Sequence, residues 1–112
     1  MQTRVEIDAG ICGFRTVADV GSDDSQNVTF KIASGCEKIR ALAARLSERG
    51  PVDAYQEISP AAESVVMTIV RETLKGCCAG CAVPVGLFKG MQVTAGLALP
   101  KDIRIEINPE QR

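Results

Sequence analysis

The chain contains no histidine. That removes the commonest general base and the commonest transition-metal ligand. Neither a Ser-His-Asp nor a Cys-His pair can form within it, so any transition-metal site must rest on cysteine with help from carboxylates. Tryptophan is also absent, and Phe14, Phe30, Tyr55 and Phe88 are the only aromatic residues. So few rings make a poor stacking platform for single strands. The formal net charge is −1, with acids and bases interspersed and no basic stripe, which argues against nucleic acid as a partner. Unbroken apolar runs fall well short of the roughly 20 residues of a membrane-spanning helix. The first residues, Met1-Gln2-Thr3-Arg4-Val5-Glu6, lack the apolar core of a secretory signal. These absences lead to an expectation of a cytoplasmic protein with no membrane partner, in a compartment that keeps thiols reduced.

Against that background, five cysteines among 112 residues are conspicuous. In a reducing compartment they point to metal binding or redox chemistry sooner than to a disulfide framework. The length suits one domain and one core, here 1–112.

Alternation marks four strands. Arg4–Asp8 sets Val5 and Ile7 on one face. Phe14–Val20 sets Phe14, Ala18 and Val20 together. Asn27–Ala33 turns Val28, Phe30 and Ile32 inward. Asp102–Ile107 alternates most cleanly, with Ile103, Ile105 and Ile107 against Asp102, Arg104 and Glu106. Short Gly-rich or polar links between the first three strands favour an antiparallel meander. Three helices are expected between the third and last strands. The first carries the stripe Ile39, Leu42, Ala43 and Leu46 and stops at Gly50-Pro51. The second opens at Ser59-Pro60 and carries Val65, Val66, Ile69 and Val70, with 51–58 a loop before it. The third, from near Val85 to Leu97, is apolar nearly all round and should be the most buried, with Gly86, Gly90 and Gly96 allowing close approach. The expected fold is α+β: an antiparallel four-stranded sheet in the order β-β-β-α-α-α-β, with three helices on one face.

Tracing directions places every cysteine at one end. Cys12 sits in the turn after the first strand. Cys36 follows the third strand at the start of the first helix. Cys77, Cys78 and Cys81 follow the second helix. Cys78-Ala79-Gly80-Cys81 is a CxxC, a spacing that lets two sulfurs share an ion or form a disulfide. Adding Cys12 and Cys36 makes four thiolates, the set that holds zinc tetrahedrally or an iron–sulfur cluster. Cys77 is an alternative ligand or a buried filler at a helix end. Two helix starts point at this end, and their partial positive charge favours thiolates. Structural zinc sites usually use paired CxxC knuckles. With one such pair, an iron–sulfur cluster is the preferred cofactor and zinc stays open. Lys75 and Lys89 lie where they could face an anionic cluster.

The residues Cys12-Gly13, Ser34-Gly35-Cys36, Cys78-x-x-Cys81-x-x-Pro84-x-Gly86 and Ala95-Gly96-Leu97-Ala98-Leu99-Pro100 resemble a small family of uncharacterised bacterial and archaeal proteins. The resemblance spans nearly the whole chain and implies no activity. The function expected first is therefore metal or iron–sulfur binding, serving electron transfer, cluster delivery or regulation, with a protein redox or cluster-transfer partner. A thiol-disulfide or sulfur-transfer (persulfide) enzyme using Cys78 and Cys81, with Cys36 poised at a helix start, is the alternative. An interaction module with structural cysteines is a third reading. The sequence leaves a homo-oligomer open.

Overall fold

The computed structural model describes residues 1–110. Its sheet follows the alternation closely. Strands β1 (Gln2–Asp8), β2 (Arg15–Gly21) and β3 (Asn27–Ser34) form an antiparallel meander, with Val5 opposite Ala18 and Ala18 opposite Ile32. Inward side chains Thr16, Ala18, Val20 and Val28 are buried, while Arg4, Glu6, Thr29 and Lys31 stay on the open face. One apolar and one polar face is what an antiparallel sheet covered on a single side requires.

Three helices of nine or more residues pack on the apolar face: α1 (Glu37–Arg49), α3 (Val65–Thr73) and α4 (Val83–Thr94). They contribute Ile39, Leu42 and Leu46, then Val66, Ile69 and Val70, then Leu87 and Met91 to one continuous core. The α+β class, the four-stranded antiparallel sheet and the helical layer are as the sequence leads one to expect.

The identity of the fourth strand is not. Val52–Asp53 forms a short β4 that pairs with β3 through Val28↔Val52 and Asn27↔Asp53. Asp102–Ile107 has no regular structure and is exposed throughout. The order along the chain is therefore β1-β2-β3-α1-β4-α2-α3-α4, and β1 is left as an open edge. Buried Val52 explains the substitution, because it gives 51–58 an anchor on β3. Asp53 then caps the four-residue α2 (Ala54–Glu57), its carboxylate accepting from the N–H groups of Tyr55 (2.9 Å) and Gln56 (3.4 Å). The expected loop is thus a strand and a helical turn.

The helix expected from Ser59-Pro60 begins at Val65 instead. Ser64 is its cap, with Oγ accepting from the Met67 N–H at 3.0 Å. The third helix starts two residues sooner and ends three sooner than periodicity indicates. Its end is set by Gly96, whose φ of 76° only glycine adopts without strain.

Close packing of α4 on β1 is real, and two glycines make it so. A Cβ on Gly86 would stand 2.6 Å from Ile7 Cδ1, and one on Gly90 would stand 2.7 Å from Val5 Cγ2. Beyond Gly90, the Thr94 hydroxyl donates to Thr3 Oγ1 at 2.8 Å. Helix α4 therefore runs antiparallel to β1, with its first turn over the Ile7 end.

The β2–β3 turn is organised by Asp24. Its carboxylate accepts from the Gln26 and Asn27 N–H groups (3.0 and 2.8 Å), the Asn27 side-chain amide (2.8 Å) and the Ser22 hydroxyl (3.1 Å). These bonds, led by those from Asn27, hold its carboxyl well below the ordinary range. A carboxyl depressed in the folded state contributes stability above its unfolded pKa, about 4, and loses it as pH falls. Asp24→Ala should lower the urea midpoint at neutral pH. The gap from wild type should stay constant down to about pH 4 and narrow below it. A gap independent of pH would contradict this role.

Candidate cysteine site

The register fixes which ends of the elements lie together. Asp8 pairs with Arg15 and Thr16 pairs with Ser34, so β1 ends, β2 begins and β3 ends on one side of the fold. The α4 start is on that side too, since Gly86 packs on Ile7. Cys12 lies in the β1–β2 turn, Cys36 at the cap of α1, Cys77 and Cys78 in a 3₁₀ turn over Gly76–Gly80, and Cys81 just after it.

Each connection has its own local cause. In the first, Gly10 and Gly13 take φ of 90° and 74°, and the Gly13 N–H closes a turn on the Gly10 carbonyl at 2.9 Å. This exposes Ile11 and Cys12. At Cys36 the backbone is held by its neighbours. Thr16 Oγ1 donates to Ser34 Oγ at 2.8 Å, and Ser34 Oγ accepts the Cys36 N–H at 3.1 Å. The Arg40 guanidinium donates to the Ser34 and Gly35 carbonyls at 3.2 and 2.9 Å. The sulfur of Cys36 makes no capping bond, so it stays free beside the unpaired N–H groups of the first turn of α1. A Cβ on Gly35 would lie 3.1 Å from the Phe14 ring, so that ring folds over this turn from the residue just before β2. In the third connection Gly76 has φ of 63°, and successive 3₁₀ bonds run from the Cys78 N–H to Lys75 and from the Cys81 N–H to Cys78.

Thr16, Arg40 and Phe14 were not expected at the site from sequence, nor was the bond that ties Ser34 to Thr16. Only register could reveal Thr16 and Ser34 as partners, since 18 residues separate them.

Cys36, Cys78 and Cys81 are half-buried and pack against the core, whereas Cys12 and Cys77 are exposed. Cys77 is thus no core filler, which corrects that reading of it: the 3₁₀ turn aims it outward. Lys75 and Lys89 are exposed as well.

The Cys81 thiol is pushed above its ordinary range, chiefly by burial. The Val83 N–H opposes this, and the thiols of Cys12, Cys36 and Cys78 add to it. Those four sulfurs therefore share one electrostatic neighbourhood, and Cys77 is not among the groups acting on Cys81. They are not gathered to ligating distance. Among the described residues no three His, Cys, Asp or Glu side chains stand ready to hold a metal ion. Closing on a common ion would require movement of the Gly10–Gly13 and Gly76–Gly80 turns, the two most glycine-rich connections of this end.

Two surface depressions lie away from the cysteines, one at the Met1, Gly21–Asp24 end and one between α1 and α3 beside Arg45 and Glu72. The stretch Gly76–Thr94 has the length and hydropathy of a membrane span. In the fold it is a 3₁₀ turn followed by α4, whose Val83, Leu87 and Met91 are buried in the core.

Fold and site together define a small α+β domain with several cysteines in the loops at one end of a one-sided antiparallel sheet. The chain matches DUF6951, a family of unknown function, over residues 3–107, and belongs to that family. No curated protein and no solved structure matches it.

Proposed function

We propose that Cys12, Cys36, Cys78 and Cys81 bind a metal through their thiolates, an iron–sulfur cluster in preference to zinc. The observation that carries this reading is their placement: three separate connections bring four thiols to one end, and three of those thiols act on the fourth. Metal binding gives that arrangement a use, because a cation relieves the repulsion that opposes ionisation of neighbouring thiols. Four thiolates with no histidine suit a cluster or zinc and suit hard cations poorly.

The exposed position of Cys12 favours cluster delivery over long-term electron storage. A cluster held at the surface by glycine-rich turns can be released to a protein partner, whereas solvent contact serves a fixed redox centre badly. The cytoplasm, which keeps thiols free, is the compartment that suits this chemistry.

Single serine substitutions test the ligand set. Metal per chain, measured on protein purified without air, should fall at least about tenfold in Cys36→Ser, Cys78→Ser and Cys81→Ser. It should also fall in Cys12→Ser and stay at the wild-type level in Cys77→Ser. Equal metal in all five variants would remove the proposed set.

A further inference from the structure

The segment Asp102–Ile107 has the pattern of a half-buried strand, yet its three isoleucines are exposed: Ile103 is 51%, Ile105 63% and Ile107 86% accessible. It belongs to no helix or strand, and the molecule measures 50 Å along its long axis against 28 and 27 Å across. It is no stray end, since the family match runs through residue 107. At the same time β1, seven residues long, is an edge of the sheet with no strand paired on its outer side among the described residues. Its inward residues Thr3, Val5 and Ile7 are only half-buried as a result. A long, regular, unprotected edge is a template for another strand.

We infer that Asp102–Ile107 of one chain pairs with β1 of a second copy, and that the exchange is reciprocal, giving a two-fold dimer. Charge and shape choose the register. With the strands antiparallel and Ile105 opposite Val5, Ile103 meets Ile7 and Ile107 meets Thr3, all on the helical side. On the open face Glu106 meets Arg4 and Arg104 meets Glu6. Only the terminal pair, Asp102 and Asp8, is like-charged. Cross-strand pairs of opposite charge and of β-branched residues are those that stabilise a sheet.

Direction selects a second copy over the chain's own edge. Helix α4 runs antiparallel to β1 and ends beside Thr3. A tail turning straight back from there along its own β1 would run parallel, and with Ile105 opposite Val5 it would set Arg104 against Arg4 and Glu106 against Glu6. A second copy supplies the antiparallel partner directly, and an isologous pair satisfies both tails and both edges at once.

Sedimentation of the full-length protein at about 100 μM, with reductant to exclude disulfides, should give twice the chain mass, a concentration set by the usual micromolar range of such contacts. The double variant Ile103→Asp/Ile105→Asp should be a monomer with an unchanged circular dichroism spectrum, because both side chains lie outside the core. Glu6→Arg should weaken the dimer about tenfold, and adding Arg104→Glu should restore it, about 1.4 kcal/mol in each direction. Rescue separates strand pairing from mere loss of the exposed Glu6–Arg15 contact at 3.4 Å. A wild-type monomer would overturn the inference, whether its tail is open to trypsin at Arg104 or protected on its own edge. A dimer that persists in the double isoleucine variant would overturn it equally.

Discussion

Glu57→Ala should destabilise the fold by about 3 kcal/mol, read as a drop in the urea midpoint at unchanged slope. Glu57 is 5% exposed, and its carboxylate is the hub of the α2–α3 corner. One oxygen accepts from the Ser64 hydroxyl and the Val66 N–H, both at 2.8 Å, and the other accepts from the Val65 N–H at 2.7 Å. It thus supplies the start of α3 with an anionic cap from outside the helix, where the dipole favours negative charge. Charge-assisted bonds contribute roughly 1.5–3 kcal/mol each. Their sum overstates the loss, since removing the carboxylate also relieves its burial. What decides the size is the pair of N–H groups left without acceptors, that of Val66 in the buried interior. Glu57→Gln should lose less, about half, because one amide oxygen can keep two of the three bonds. Equal stability of the alanine variant and wild type would show that water replaces the carboxylate freely.

Gly90→Val should cost about 3 kcal/mol and also weaken metal retention. Even a bare Cβ at this position would be 2.7 Å from Val5 Cγ2 and 3.4 Å from Val20 Cγ2. Valine side chains in adjacent strands turn only among stiff rotamers, so neither neighbour can yield cheaply. Alanine would recover about 1 kcal/mol of helix propensity against the clash, and Gly90→Ala should therefore be milder. Valine recovers less and adds two methyls, so α4 must lift from β1. Because Cys81 stands just ahead of that helix, the lift displaces a proposed ligand from the others. The check is thermal unfolding together with metal per chain: loss of stability with full metal retention would show that α4 does not position the site.

The contrast between what the sequence reveals and what it conceals has physical causes. Strands β1 to β3 and the stripe of α1 were legible because burial on one side imposes a strict period. The placement of the cysteine-bearing connections at one end was legible because up-and-down connectivity sends alternate loops to the same side, but the gathering of four thiols to ligating distance is not found among the described residues. The start of α3 was not. Ser59-Pro60 and Ser64 both offer a cap, and the choice is made by Glu57, a group outside the helix whose carboxylate reaches the N–H groups of Val65 and Val66. Nor was the fate of Asp102–Ile107. Its alternation states that one face seeks an apolar surface, but not whose, while two residues at Val52–Asp53 take the fourth place in the sheet. The bonds that hold Cys36 were hidden for a similar reason, as Thr16 and Ser34 meet only through strand register.

The most direct measurement is the iron, sulfide and zinc content of the wild-type protein purified without air from cells supplied with iron and zinc. Iron with sulfide near stoichiometry, in brown protein, is the result expected of a thiolate-held cluster at Cys12, Cys36, Cys78 and Cys81. Colourless protein free of iron and zinc would contradict metal binding at these cysteines.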